Sequence, residues 1–67
     1  MIEIVINGEA RQVSQQTSLQ QLLRSLDLKG DRVAVELNRK LVRRENWEQV
    51  QLCSNDRLEI VHFVGGG

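Results

Sequence analysis

Sixty-seven residues make one small domain, close to the lower size at which a chain folds without disulfides or metal. Nine Lys and Arg against nine Asp and Glu leave zero formal net charge, which argues against nucleic acid as the main partner, because phosphate binding needs a cationic surface. One cysteine and one histidine exclude an internal disulfide and a Cys/His metal centre, and no apolar run is long enough to cross a membrane.

The chain opens on Ile2, Ile4 and Ile6 alternating with Glu3 and Val5, the two-residue period of a half-buried strand. Met1-Ile2-Glu3-Ile4 has no basic region ahead of a long apolar stretch, so no signal peptide is expected, and the default reading is a soluble, reduced, cytoplasmic protein. Asn7-Gly8 is a strong hairpin signal, since both residues accept positive φ, and Ala10 to Ser14 is the expected returning strand with Val13 inward. Ser18 is placed to cap a helix, and Gln21 three residues later completes a capping box. Leu19, Leu22, Leu23 and Leu26 form one apolar stripe, with Gln20, Gln21, Arg24 and Ser25 on the solvent side. Lys29-Gly30-Asp31 carries the loop chemistry that ends the segment.

Arg32 to Leu37 reads as a strand, with Val33, Val35 and Leu37 on one face and Ala34 and Glu36 on the other. Asn38-Arg39-Lys40 turns the chain into a short strand at Leu41-Val42, and Arg44 to Gln49 is a loop or one helical turn. Trp47 is expected to close the bottom of the core, with Val50 and Leu52 continuing inward. Ser54-Asn55-Asp56 forms another turn, and Leu58 to Val64 is the last strand. Packing one amphipathic helix across one face of a mixed sheet buries the leucine stripe most simply. Pairing the last strand with the first then gives an α+β, β-grasp (ubiquitin-like) fold of four to five strands. Residues 1–64 form the single domain, and residues 65–67 form a flexible glycine tail.

That tail is the first candidate site. Gly65, Gly66 and Gly67 carry no Cβ, can thread a narrow channel, and reach about 10 Å when extended, enough to bring a terminal carboxylate into another protein's active site. The other expectation for such a tail is a frayed end. A second candidate is a partner-docking surface. If Leu58 and Ile60 face the helix, Val61 and Phe63 emerge on the opposite side, together with Val5 and Ala34, as an apolar patch beside the tail.

The remaining chemistry-bearing residues point to no side-chain catalyst. Cys53 lacks an activating base and reads as a small buried hydrophobe. His62 reads as a half-exposed edge residue rather than a ligand or general base. The carboxylates are scattered without an acid/base pair, and Gly8 and Gly30 are isolated turn glycines rather than a phosphate loop. The cluster Arg39, Lys40, Arg43, Arg44 reads first as a solvated turn and second as a contact for an acidic partner surface.

The closing segment, Asp56-Arg57-Leu58-Glu59-Ile60-Val61-His62-Phe63-Val64-Gly65-Gly66-Gly67, resembles the ending of the sulfur carrier proteins of thiamin biosynthesis: an acidic turn, an E-I-V-type strand and a terminal Gly-Gly. Asn7-Gly8, Thr17-Ser18-Leu19 opening an L-x-x-L-L helix, and Val33-Ala34-Val35-Glu36-Leu37-Asn38 extend the resemblance. Val42 to Trp47 is similar to the family's V-P-R-x-x-W segment, with Arg43 where proline is usual, a departure confined to a loop.

The resemblance implies a protein co-substrate rather than an enzyme. An adenylating enzyme of the ubiquitin-activating type would use ATP and magnesium to adenylate the Gly67 carboxylate, a persulfide donor protein would convert it to a thiocarboxylate, and thiazole synthase would take the sulfur. The carrier itself would bind no cofactor or metal. A carrier for molybdopterin synthesis, or another ubiquitin-like carrier for a different sulfur-containing metabolite, uses the same chemistry; the molybdopterin carriers tend to be longer and to have proline before the Gly-Gly, and this chain has no proline. A ubiquitin-like protein modifier and a β-grasp binding module with an inert tail are the readings from other classes.

Overall fold

The structure is a computed structural model, and it describes residues 1–28 and 30–63. β1 (Ile2–Ile6) and β2 (Glu9–Val13) form an antiparallel hairpin with Ile2 opposite Val13 and Ile6 opposite Glu9. Asn7 and Gly8 have φ of 49° and 84°. Two successive positive φ values give the hairpin turn whose twist matches its flanking strands.

Helix α1 (Leu19–Ser25) starts as its sequence dictates. The Gln21 backbone N–H donates to Ser18 Oγ at 3.0 Å, and the Ser18 N–H donates to Gln21 Oε1 at 2.9 Å. Two further free N–H groups of the first turn, those of Leu19 and Gln20, donate to the carbonyls of Val50 and Trp47. Seven residues are too few for a helix to persist alone in water; burial of Leu19, Leu22 and Leu23 holds it. Its end differs from expectation. Asp27, with φ of 60°, takes the left-handed position, and the Leu28 and Asp27 N–H groups donate to Leu23 and Arg24 carbonyls. Aspartate tolerates this conformation, so the helix stops before the Lys29-Gly30 pair. Lys29 itself lies outside the described residues.

A 3-10 turn (Gly30–Arg32) precedes β3 (Val33–Leu37), which removes Arg32 from the expected strand. β3 turns through Asn38 and Arg39, both at positive φ, into β4 (Lys40–Val42). A second 3-10 turn (Arg44–Asn46) leads to Trp47, and β5 (Arg57–His62) closes the sheet. The strand order is β2-β1-β5-β3-β4, with β1 and β5 parallel and every other neighbour antiparallel. One helix across a five-stranded mixed sheet is the β-grasp arrangement.

The core collects Ile4, Ile6, Val33, Val35 and Leu58 from the sheet, the three helix leucines, and Trp47 and Leu52 from the long connection. Val50, Val13 and Leu26 pack partly buried against it. Trp47 does close the core: it is 1% exposed, and its Nε1–H donates to the Val42 carbonyl at 3.0 Å. A buried indole N–H needs such a partner.

Candidate functional site around the carboxyl-terminal strand

β5 lies in the middle of the sheet, and three side chains fix its course. At its start Asp56 is buried, its carboxylate accepting from the Cys53 N–H at 2.7 Å and from Asn38 Nδ2 at 3.0 Å. A buried carboxylate is tolerable only when satisfied in this way. Asn38 in turn accepts the Arg57 N–H on Oδ1 at 3.0 Å, while its own N–H donates to the Arg57 carbonyl at 2.7 Å. The Val5 N–H donates to the Asp56 carbonyl at 2.9 Å, joining β1 to the same corner.

Beyond Leu58 the first strand has ended, and Asn7 takes its place. Its backbone N–H donates to the Leu58 carbonyl, and its side-chain amide bonds both the N–H and the carbonyl of Ile60. On the other flank β3 accompanies β5 to its end, with Val33 opposite His62 and the Phe63 N–H donating to the Arg32 carbonyl at 2.8 Å. The backbone is therefore extended and paired up to Phe63. Val64, Gly65, Gly66 and Gly67 lie outside the described residues.

Alternation sorts the side chains of β5. Leu58, Ile60 and His62 share the helix-side parity, and Arg57, Glu59, Val61 and Phe63 share the outer one. Val61 stands directly opposite Ala34, and Val61 and Phe63 are 53% and 55% exposed. These three residues lie at the end of the described part of β5 and its pairing with β3. Val5 is on the same face, but its register partner is Arg57, four residues before Val61 and about 13 Å away along the strand. Glu59, opposite Glu36, lies between them. Two like charges placed opposite one another are unfavourable alone; Arg39 and Arg57 line the same depression and bring opposite charge to it. The outer face thus has an apolar end at Val61 and Phe63 and a mixed-charge middle. Leu41, opposite Glu36 and 67% exposed, is a further apolar residue on it that the alternation pattern did not single out.

Two side chains stand differently from expectation. Cys53 is exposed rather than buried, because the turn at 53–56 points its backbone N–H inward to Asp56 and its side chain outward. His62 is exposed, yet β5 is a central strand; the ring is open because β1 ends beside it. Among the described residues, no group of three or more His, Cys, Asp or Glu could hold a metal ion, and no helix is long and apolar enough to cross a membrane. The anchoring roles of Asn7, Asn38 and Asp56 escape sequence reasoning, for which all three are merely turn residues.

This geometry has close counterparts. The family model that matches is that of the ThiS family, over residues 4–67. The sulfur carrier protein ThiS of Bacillus subtilis is 46% identical over 50 residues, covering 75% of this chain and 76% of that protein. A thiazole synthase of Paramagnetospirillum magneticum is 41% identical over 66 residues, which is 98% of this chain and only 20% of the synthase. The chain therefore spans about a fifth of the length of such synthases. The crystal structure of the thiamine biosynthesis protein ThiS of Geobacter metallireducens superposes with a TM-score of 0.83 at 28% identity, covering 98% of this chain and all of the other. With the match running from the first strand through the glycines, the chain belongs to the ThiS family, whose sulfur carriers its closing segment resembles.

Proposed function

We propose that this chain is a sulfur carrier of thiamin biosynthesis, with residues 1–64 as the body that partners recognise and Gly67 as the reacting residue. The observation that carries the reading is a family match that includes the glycines at 65–67. An α-carboxyl group, with a reference pKa of about 3.5, is an anion at neutral pH. Attack of that carboxylate on the α-phosphate of ATP releases pyrophosphate and leaves an acyl-adenylate. The terminal sulfur of a persulfide donor then displaces AMP to give an acyl disulfide, and a thiol cleaves its S–S bond, releasing the thiocarboxylate and leaving the donor sulfur in a disulfide with that thiol. Glycine leaves the carbonyl unhindered, while Gly66 and Gly65 supply clearance and reach. ATP and magnesium belong to the adenylating enzyme in this scheme, and the carrier acts in the cytoplasm as a protein co-substrate. A segment similar to the whole of this chain occurs within longer thiazole synthases, which supports thiazole synthase as the sulfur acceptor.

Incubation with ATP, a cognate adenylating enzyme, a persulfide donor and a thiol reductant, followed by intact-mass measurement, tests the chemistry. The expected product is heavier by the replacement of one oxygen with sulfur. An isopeptide-linked conjugate in its place would make the chain a protein modifier, and growth of a thiazole-requiring strain after complementation identifies the pathway.

Ala34, Val61 and Phe63 form the docking patch nearest the tail, with Val5 a more distant part of the same face. Phe63→Asp should weaken binding to the adenylating enzyme by roughly ten- to a hundredfold, because the contact would trap an unpaired carboxylate. Circular dichroism should not change, since Phe63 is 55% exposed in the free protein. Equal affinity by titration calorimetry would remove Phe63 from the interface.

A further inference from the structure

We infer that Asn7 is a positioning residue for the carboxyl-terminal tail, its side-chain amide standing in for the missing continuation of β1. β1 ends at Ile6, opposite Leu58, four residues before the end of β5. From there β5 keeps a full backbone partner only on the β3 side. A side-chain carboxamide has the donor and acceptor of a peptide group. Asn7 uses both on one residue: Nδ2–H donates to the Ile60 carbonyl at 3.0 Å, and Oδ1 accepts the Ile60 N–H at 2.8 Å. The contact spans 53 positions of sequence and is the last bond the described structure shows on that flank of β5. It sets the direction of the strand from which Val61, Phe63 and the glycines follow.

The turn alone does not demand this. Positive φ at position 7 suits glycine at least as well as asparagine, and the Asn7 N–H bond to Leu58 is a backbone contact that any residue would make. Asparagine adds the clamp. The inference rests on the carrier reading, because a tail that meets no partner would gain nothing from being aimed.

The test compares the full-length wild type with Asn7→Gly and Asn7→Asp. Asn7→Gly keeps the turn and deletes the clamp. Amide hydrogen exchange at Ile60 should accelerate about tenfold, as expected for losing two exposed hydrogen bonds. Exchange at Leu22 and Leu52, bonded elsewhere to Ser18 and Thr17, should stay at wild-type rates. In Asn7→Asp the carboxylate still accepts from Ile60 but offers no donor to its carbonyl. Protonation below the ordinary aspartate range near 3.9 restores one. The Ile60 exchange ratio to wild type should therefore fall toward one between about pH 6 and pH 3.

With ATP and the adenylating enzyme, Asn7→Gly should lower kcat about tenfold and leave the KM for the carrier near its wild-type value. The outer patch remains bonded to β3, so docking persists while the tail is misaimed. A variant that was merely less folded would instead raise KM, through a smaller concentration of competent carrier. Unchanged Ile60 exchange in Asn7→Gly overturns the clamp. Faster exchange with unchanged kcat overturns its part in tail positioning. Failure of the wild type to be adenylated overturns the carrier reading, and the exchange data still decide the clamp.

Discussion

Removing Gly67, or adding one residue after it, should abolish adenylation by a cognate enzyme supplied with ATP, while circular dichroism and thermal unfolding stay as in the wild type. Either change moves the carboxylate by about 3.5 Å along the tail, and a displacement of about 1 Å is enough to cost a hundredfold in a positioned reaction. The fold should be indifferent, because the buried core residues of the described structure run from Ile4 to Leu58, with Ile2 and Ile60 packed partly buried against them. Normal activation of either variant, read as adenylated or thiocarboxylated mass, would end the assignment of Gly67 as the reacting residue. The extension is the sharper arm: it retains all three glycines and changes only where the carboxylate stands.

The second large effect is on stability. Trp47→Ala should destabilise the fold by about 3–5 kcal/mol, the usual range for emptying a buried indole site. The indole is 1% exposed, and its loss also strips the Val42 carbonyl of a partner. A chain this short has a total stability of roughly 3–10 kcal/mol, so the variant should lose a large share of it and unfold at a markedly lower urea concentration. Urea denaturation followed by circular dichroism measures the change. Trp47→Phe, which fills most of the volume but cannot donate, should cost about 1–3 kcal/mol. Equal stability of the alanine variant and the wild type would mean that the long connection between β4 and β5 does not close the core.

Locally encoded elements were legible in the chain. Alternating isoleucines, Asn7-Gly8, the Ser18/Gln21 box and the leucine stripe each act over a few residues, and each stands where its pattern placed it. Trp47 was legible too, since the lone tryptophan of a small domain has few places to go. The departures are of two kinds, local conformational choices that composition leaves open and contacts that only the fold brings about. Arg32 lies in a 3-10 turn, and Asp27 rather than a glycine terminates the helix. Cys53 is turned outward by a bond between its own backbone and Asp56. The separation of Val5 from Val61 depends on the offset between β1 and β5, which no single strand's periodicity records. Asn38 and Asp56 meet across 18 positions and Asn7 and Ile60 across 53. In sequence Asn7, Asn38 and Asp56 look like solvated turn residues, because their partners are chosen by the fold.

The strand order carries a consequence for synthesis. β5 comes from the end of this sequence yet sits between β1 and β3, so without it β2-β1 and β3-β4 are two separate ribbons with no strand between them. A nascent chain halted before Arg57 cannot close the sheet, and two-stranded ribbons alone are marginal in water. Its exposed apolar faces would mark it for proteolysis. The same strand that completes the body leads on to the glycines, so a chain that lacks it lacks both the closed sheet and the residues beyond it.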